Sequence, residues 1–257
     1  MNFKRFTIAI ALSVTALYLV LAGSLFSFLD SGRVIKALTS ERVFFSVSLS
    51  VKAAIIATIL AITVAIPAAY ALSRYNFRGK AVVDTLLELP LIVTPVALGA
   101  MLLIFFNTGL GASVQNNLWQ FVFEFSGIVL AQFLTTVGLA IRTIRSTFDE
   151  ISPRYEAVAC TLGATPTQAL MTITLPMARK GILAATVITF AKCIGEFGAT
   201  IMVAGAMPMK SETMPVSIFM RLGSADIEGM AMMILILLAV GLSVLLILRF
   251  ILQKKYD

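Results

Sequence analysis

Lys192 and Glu196 stand four residues apart inside an otherwise apolar run, Ala191 to Gly205, that reads AKCIGEFGATIMVAG. At helical spacing the two fall on one face and can form an ion pair, which limits the cost of placing charges in hydrocarbon. Such a pair serves either the passage of a charged solute or the fixing of helix packing, and both readings stay open. Gly195 and Gly198 flank Glu196, and the spacing from Gly195 to Ala199 allows another helix to approach closely. Other chemistry is excluded by what the chain lacks. It has no His, so the usual general base and the commonest metal ligand are absent. Cys160 and Cys193 read as neither a structural disulfide nor a metal pair. No GxxxxGKS or GxxxxGKT phosphate loop occurs, so this polypeptide does not hydrolyse ATP by that route. No catalytic residue and no metal site is expected.

The second informative stretch runs from Tyr155 to Pro176, YEAVACTLGATPTQALMTITLP. It reads as two short helices joined at a glycine. Ala157 to Leu162 forms the first, Gly163 permits a left-handed turn, and Thr165 with Pro166 supplies the N-cap and first position of the second. Pro176 is expected to stop it. Ala169, Leu170, Ile173 and Leu175 fall near one face, while Thr167, Gln168, Thr172 and Thr174 point elsewhere. Such an amphipathic hairpin lies either in a groove on a partner protein or on lipid head groups. Arg154 is the only cation near it, which favours the protein groove.

These two stretches must be held by membrane-spanning helices. The 257 residues are 59% hydrophobic and 13% charged, with a mean hydropathy of +0.98, so most of the chain cannot be the surface of a soluble domain. About 20 apolar residues cross a bilayer. Six segments qualify, at 7–29, 44–73, 86–106, 121–144, 181–206 and 229–249, with the hairpin at 153–176 between spans four and five. The first is longer than the apolar core of a cleaved leader. Lys52 can snorkel, Pro67 should kink the second span, and Glu124 reaches water at the outer end of the fourth. Pro90 and Pro95 predict a bent third span, beside a pathway or simply fitted to its neighbours. Residues 107–117 read as an outer loop; 207–228 read as another, in which Met214 to Met220 can dip back as a short helix. No internal repeat or low-complexity linker appears, so residues 1–257 are expected to form one all-α membrane domain.

The net charge of +7 has no basic stripe interleaved with aromatics, which excludes nucleic acid, and it sorts by side instead. Lys4, Arg5, Arg74, Arg78, Lys80, Arg142, Arg145, Arg154, Arg179, Lys180, Arg249, Lys254 and Lys255 fall on the hairpin's side. Only Arg33, Lys36, Arg42, Lys210 and Arg221 fall on the other. By the positive-inside rule the hairpin and both termini are cytoplasmic.

Gly163, Ile173, Leu175 and Pro176 meet the spacing of the EAA loop of ABC importer permeases, which the hairpin resembles. The acidic position departs: Ala157 stands where the family usually has Glu, and Glu156 lies one place earlier, which weakens any specific salt bridge carried over to Glu156. The GEFGATIMVAG run, followed by Glu212, Thr213, Met214, Pro215 and Ile218, resembles the fifth span and outer loop of molybdate, tungstate and sulfate permeases. Leu89, Pro90 and Leu91 with Pro95 and Gly99 are similar to their third span.

The resemblance implies a permease of a prokaryotic plasma membrane, working as a homodimer with one pathway on its two-fold axis. It implies an ATPase homodimer docked underneath, which alone carries ATP and Mg, so that this chain binds no cofactor. An outer binding protein would deliver the oxyanion and hold most of the selectivity. Coupling to the ATPase is then expected at Glu156, Ala157, Ala159, Gly163, Ala164, Thr165, Pro166, Ile173, Leu175 and Pro176. A dianion needs hydrogen-bond donors along its way, for which Pro90, Thr94, Pro95, Gln132, Thr135, Thr136, Thr143, Lys192 and Glu196 are the pathway candidates. Molybdate or tungstate leads, with sulfate or thiosulfate behind; an ATP-independent secondary transporter is the alternative from another class.

Overall fold

The computed structural model describes residues 3–28, 40–117 and 119–254, all of whose regular elements are helical. The connection carrying Arg33 and Lys36, and Lys255 at the end, lie outside the described residues. Among the described residues five helices are long and apolar enough to cross a bilayer: 3–28, 41–74, 125–149, 166–194 and 227–246. Helix α1, Phe3–Ser24, buries none of its residues and continues as a 3-10 turn over Leu25–Phe28.

The centre of the molecule is α2, Glu41–Arg74. Ala53, Ala54, Ala57, Ala61, Ala65 and Ala69 are fully buried along it, a small-residue stripe that lets neighbouring backbones come close where lipid gives little drive for association. Against it pack α7, Phe125–Asp149, and the helix that follows the hairpin. Two apolar clusters fill this bundle. One surrounds Ala65, Tyr70, Ile144, Phe148 and Ala178 at the hairpin end; the other surrounds Ala53, Ile128, Phe190 and Met233.

The expected third span is not one helix. It is divided into α3, Lys80–Leu87, α4, Leu89–Ile92, and α5, Pro95–Phe106. Val93 is extended ahead of Thr94, whose hydroxyl caps α5 by accepting from Ala97 N–H, while Pro95 takes the first position, where a missing N–H costs nothing. The expected loop at 107–117 is helical as α6, Gly109–Asn117, set at 82° to α5. The fourth span begins at Phe125 rather than 121, with Glu124 outside it.

The fifth span is also broken. Pro166–Ala169 (α9), a π turn over Leu170–Thr174 and Leu175–Ile194 (α10) run as one 29-residue helix, so Pro176 does not stop it. The π turn explains why: Leu175 N–H reaches back five residues to Leu170 O, and the widened turn accommodates the proline ring that would otherwise press on the preceding carbonyls. The break comes later, at residues 195–197, before α11, Gly198–Ala204. The dip expected after it is present as α12, Met214–Gly223, with Met214 to Ser217 buried. Helix α13, Ile227–Lys254, completes the described chain.

Candidate functional site

The hairpin starts with α8, Arg154–Thr161. Gly163 sits at φ +95, and the turn closes through Gly163 N–H to Cys160 O at 3.0 Å and Ala164 N–H to Ala159 O at 3.0 Å. This paired closure needs the left-handed residue that glycine supplies without a Cβ penalty. Thr165 and Gln168 then form a reciprocal capping box at the start of α9, because each can satisfy a backbone N–H of the other.

Glu156 is the centre of this element. Its carboxylate accepts from Arg74 Nε at 2.9 Å, Tyr70 Oη at 2.7 Å and Thr174 Oγ1 at 2.6 Å. The one-place offset from Ala157 therefore does not deprive the acid of a specific salt bridge. It has one within its own chain, whereas Ala157 is exposed. Burial raises the Glu156 pKa, but the hydrogen bonds from Thr174, Tyr70 and Arg74 and the attraction of the Arg74 guanidinium outweigh it, leaving the carboxyl below its usual value. Arg74 also donates to Ile151 O at 2.9 Å, using the guanidinium fork to tie α2 to α8 and to the turn that joins α7 to α8. Thr174 was expected to point away from the apolar face; it is fully buried because it is needed by Glu156.

The predicted apolar stripe also faces differently. Ala169 is buried, and Leu170 and Leu175 pack on the chain's own cluster at the hairpin end. Ile173 is half-buried, as are Ala159 and Ala164; Thr165, Pro166 and Pro176 are exposed. The apolar side chains that the hairpin turns outward are instead Tyr155, Val158, Leu162 and Met171, with Leu162 84% exposed.

In mid-bundle the Lys192–Glu196 pair does not form. The helix ends at Ile194, so the four-residue spacing no longer places them on one face. Glu196 is 3% exposed, and its Oε1 accepts from Ala199 N–H at 3.0 Å, supplying the free N-terminus of α11 with an acceptor. Lys192 is exposed on α10 in line with Ala184, Ile188, Ala191 and Gly195. Of the expected small-residue pair, Ala199 makes the close approach and Gly195 does not: a Cβ on Gly99 would lie 2.8 Å from Ala199 Cα, and one on Gly198 2.9 Å from Val96 N. Thus α5 and α11 meet backbone to backbone.

Gln132, Thr135 and Thr136 are buried inside the chain. Both threonine hydroxyls donate to carbonyls of their own helix, the usual use of Thr in an apolar helix, and Thr143 does the same toward Leu139. Thr94 is exposed at the start of α5, with Pro90 and Pro95 half-buried beside it. The structure brings Pro90, Thr94 and Pro95 together and leaves Lys192 on a separate exposed stripe.

Two groups of residues were not found by sequence reasoning. At the end opposite the hairpin, Glu212 is 1% exposed and accepts from Arg42 Nε at 2.8 Å and Nη2 at 2.9 Å. Ser50 accepts from Met214 N–H at 2.8 Å, and Lys210 binds Glu124 at 2.6 Å. At the hairpin end Arg145 binds Asp84 at 2.5 Å and Arg142 lies 3.4 Å from Glu88. These side chains border an open cavity of about 490 Å³ between α3 and α7. Opposite charges at the ends of consecutive spans were the available signal for the hairpin-end group alone; Arg42 and Glu212 stand 170 positions apart, at the ends of spans that do not follow one another.

A hairpin held to a bundle of broken apolar helices is an arrangement with a family counterpart. The family described as binding-protein-dependent transport system inner membrane component matches residues 61–256. The chain belongs to this family. The relatives of this chain include a probable molybdenum ABC transporter permease of Haloferax volcanii, 32% identical over 96% of this chain and 89% of that protein. The molybdenum transport permease of Escherichia coli K12 is 34% identical over 79% and 90%. A sulfate transport permease of Salmonella typhimurium is 30% identical over 80% and 76%. The fold is that of a permease in a bacterial ABC transporter importing alginate, with a TM-score of 0.78 at 16% identity over 100% of this chain and 98% of that one. The chain is accordingly a multi-pass membrane permease of the ABC importer type.

Proposed function

We propose that this permease imports molybdate, or the nearly isosteric tungstate, as the membrane subunit of an ATP-driven transporter. The observation that carries the reading is likeness to molybdenum permeases, over 96% of this chain for one relative and 79% for another. Sulfate is the second reading, supported by the similar identity to a sulfate permease. The hairpin faces the cytoplasm with both termini, a reading supported by the Lys and Arg distribution, and the Arg42, Glu212, Lys210 and Glu124 pairs belong to the outer side.

Two copies of the chain enclose the pathway, and two ATPase subunits bind the outward-facing Tyr155, Val158, Leu162 and Met171. Those partners carry ATP and Mg; this chain binds no cofactor and catalyses no reaction. An outer binding protein delivers the anion, in keeping with the alginate importer of like fold that was crystallised in complex with its alginate-bound periplasmic protein. The exposed Lys192 belongs at the interface between copies, because a charge turned outward from an apolar helix is costly against lipid. There it gives a passing dianion a favourable field.

The test is uptake of labelled molybdate by proteoliposomes holding the permease with its ATPase and binding protein. Uptake that needs ATP, and that excess unlabelled tungstate suppresses better than sulfate, is the expected result. Uptake that proceeds without ATP overturns the ATP-driven reading, and better suppression by sulfate replaces the substrate.

A further inference from the structure

A continuous set of polar contacts leaves the hairpin and ends on the third span. Arg74, held by Glu156, donates through Nη1 to Ser73 Oγ at 3.1 Å, and Ser73 donates to Asp149 Oδ1 at 2.5 Å. Asp149 lies 3.6 Å from Arg145 Nε, and Arg145 Nη1 binds Asp84 Oδ1 at 2.5 Å. The series passes from α8 to the end of α2, to the end of α7, and to α3.

Helix α3 has no buried residue. Its place against the bundle rests on Asp84 to Arg145, on Glu88 to Arg142, on the partly buried Leu87 side chain against the hairpin-end cluster, and on the approach of Leu87 O to Gly138, where a Cβ would collide with that carbonyl. Beyond it come the one-turn α4, extended Val93 and the Thr94 cap of α5. Helix α5 in turn is locked to α11 at Gly99 and Gly198. A shift of α3 thus reaches Pro90, Thr94 and Pro95 through a short jointed segment rather than dissipating in a soft core.

We propose that Asp84, Arg145 and Asp149 are positioning residues that carry hairpin movement to the jointed third span. The contacts change character along the series. Arg74 and Glu156 keep 7% and 12% of their side chains exposed, Arg145 and Asp84 27% and 39%. The first link is therefore a fixed anchor, and the last, screened by water, is weak enough to open and close. The cavity beside it, lined by Asp84, Leu87, Glu88, Gly138, Arg142 and Arg145 among others, gives α3 room to move toward α7. Two packings of one element, biased from one end, are what transmission between distant sites requires.

This inference rests on the reading of the chain as an ATP-driven permease, and its test separates the two. The unsubstituted transporter, with ATPase and binding protein in proteoliposomes, is first assayed for ATP hydrolysed per molybdate imported. A defined ratio supports the permease reading; ATP-independent uptake removes that reading and this one together. Asp84→Asn is then expected to raise the ratio about fivefold, the lower range of typical coupling between sites. The amount of assembled complex and its ATPase rate should not change. Asp84→Glu, which keeps the carboxylate, should stay near the unsubstituted ratio. Ser73→Ala interrupts the same series away from the cavity and should raise the ratio by less; it also serves should Asp84→Asn fail to assemble. An unchanged ratio in assembled Asp84→Asn or Ser73→Ala complexes, beside a coupled parent, overturns the relay while leaving the permease reading in place.

Discussion

Glu156 and Glu196 are both buried acids, and the chain keeps them by different means. At the hairpin end Glu156 is met by a guanidinium and two hydroxyls from separate residues of α2 and the hairpin. In mid-bundle Glu196 makes a hydrogen bond to the backbone N–H of Ala199, three residues onward. The first carboxylate joins elements that are distant in sequence and so defines where the hairpin stands. The second is a local device that ends one helix and begins another. An acid placed among side chains is a structural joint, whereas an acid placed on a free helix N-terminus repairs a break.

The comparison is broken most directly by truncation. Glu156→Ala leaves Arg74 buried without its carboxylate, and one-sided removal of such a pair costs about 3 kcal/mol. Faster protease cleavage within residues 154–176, at unchanged membrane insertion, is the expected readout. Cleavage no faster than in the parent would mean that the hairpin is held by its apolar contacts alone. Gly99→Val places a side chain against Ala199 backbone and should destabilise the α5 to α11 contact by about 2 kcal/mol, read as a lower unfolding temperature in detergent. In Gly163→Val the Cβ meets no atom within 4 Å, so the cost is chiefly about 1–2 kcal/mol of left-handed backbone strain. It should disturb coupling rather than insertion, raising ATP consumed per ion; a normal ratio would show that the turn tolerates the strain without moving the hairpin.

Glu196→Ala removes a helix-end acceptor, worth about 1 kcal/mol, while Glu196→Gln keeps an acceptor oxygen and should cost less. Equal losses from the two would show that the charge itself matters in mid-bundle and would erase the contrast with Glu156. Acidification sharpens it from the other side. The folded-state pKa of Glu156 lies below its ordinary value, so its stabilisation is complete above the ordinary carboxylate range and is lost as pH falls through the depressed value. Hairpin cleavage should accelerate over that acid interval in the parent and be flat there in Glu156→Gln. A parallel rise in both would locate the sensitivity elsewhere.

Much of this was readable from particular residues. The left-handed Gly163, the Thr165 and Pro166 start, four of the six expected spans as the long helices 3–28, 41–74, 125–149 and 227–246, and the short helix after Thr213 all follow from patterns of a few neighbouring residues. The reading failed where the backbone departed from a regular helix or where packing decided which way a side chain turns. Pro176 reads as a helix stop because proline lacks an N–H, yet a π turn carries the helix past it. Lys192 and Glu196 read as a pair because a continuous helix was assumed, and the break at Gly195 separates them. The polar residues of α7 were legible as Thr and Gln, but not as side chains turned into the chain's own interior.

The sequence by itself determined that this is a multi-span membrane chain with a capped, glycine-turned hairpin. Those properties depend on residue type and short spacing. Only the tertiary structure decided that Glu156 belongs to Arg74, Tyr70 and Thr174, that the hairpin's apolar stripe packs on its own bundle, and that the third and fifth spans are jointed where α5 meets α11. These depend on which side chains from remote segments arrive at one point. No periodicity records that arrival, because it is fixed by the packing of whole helices against a stripe of alanines.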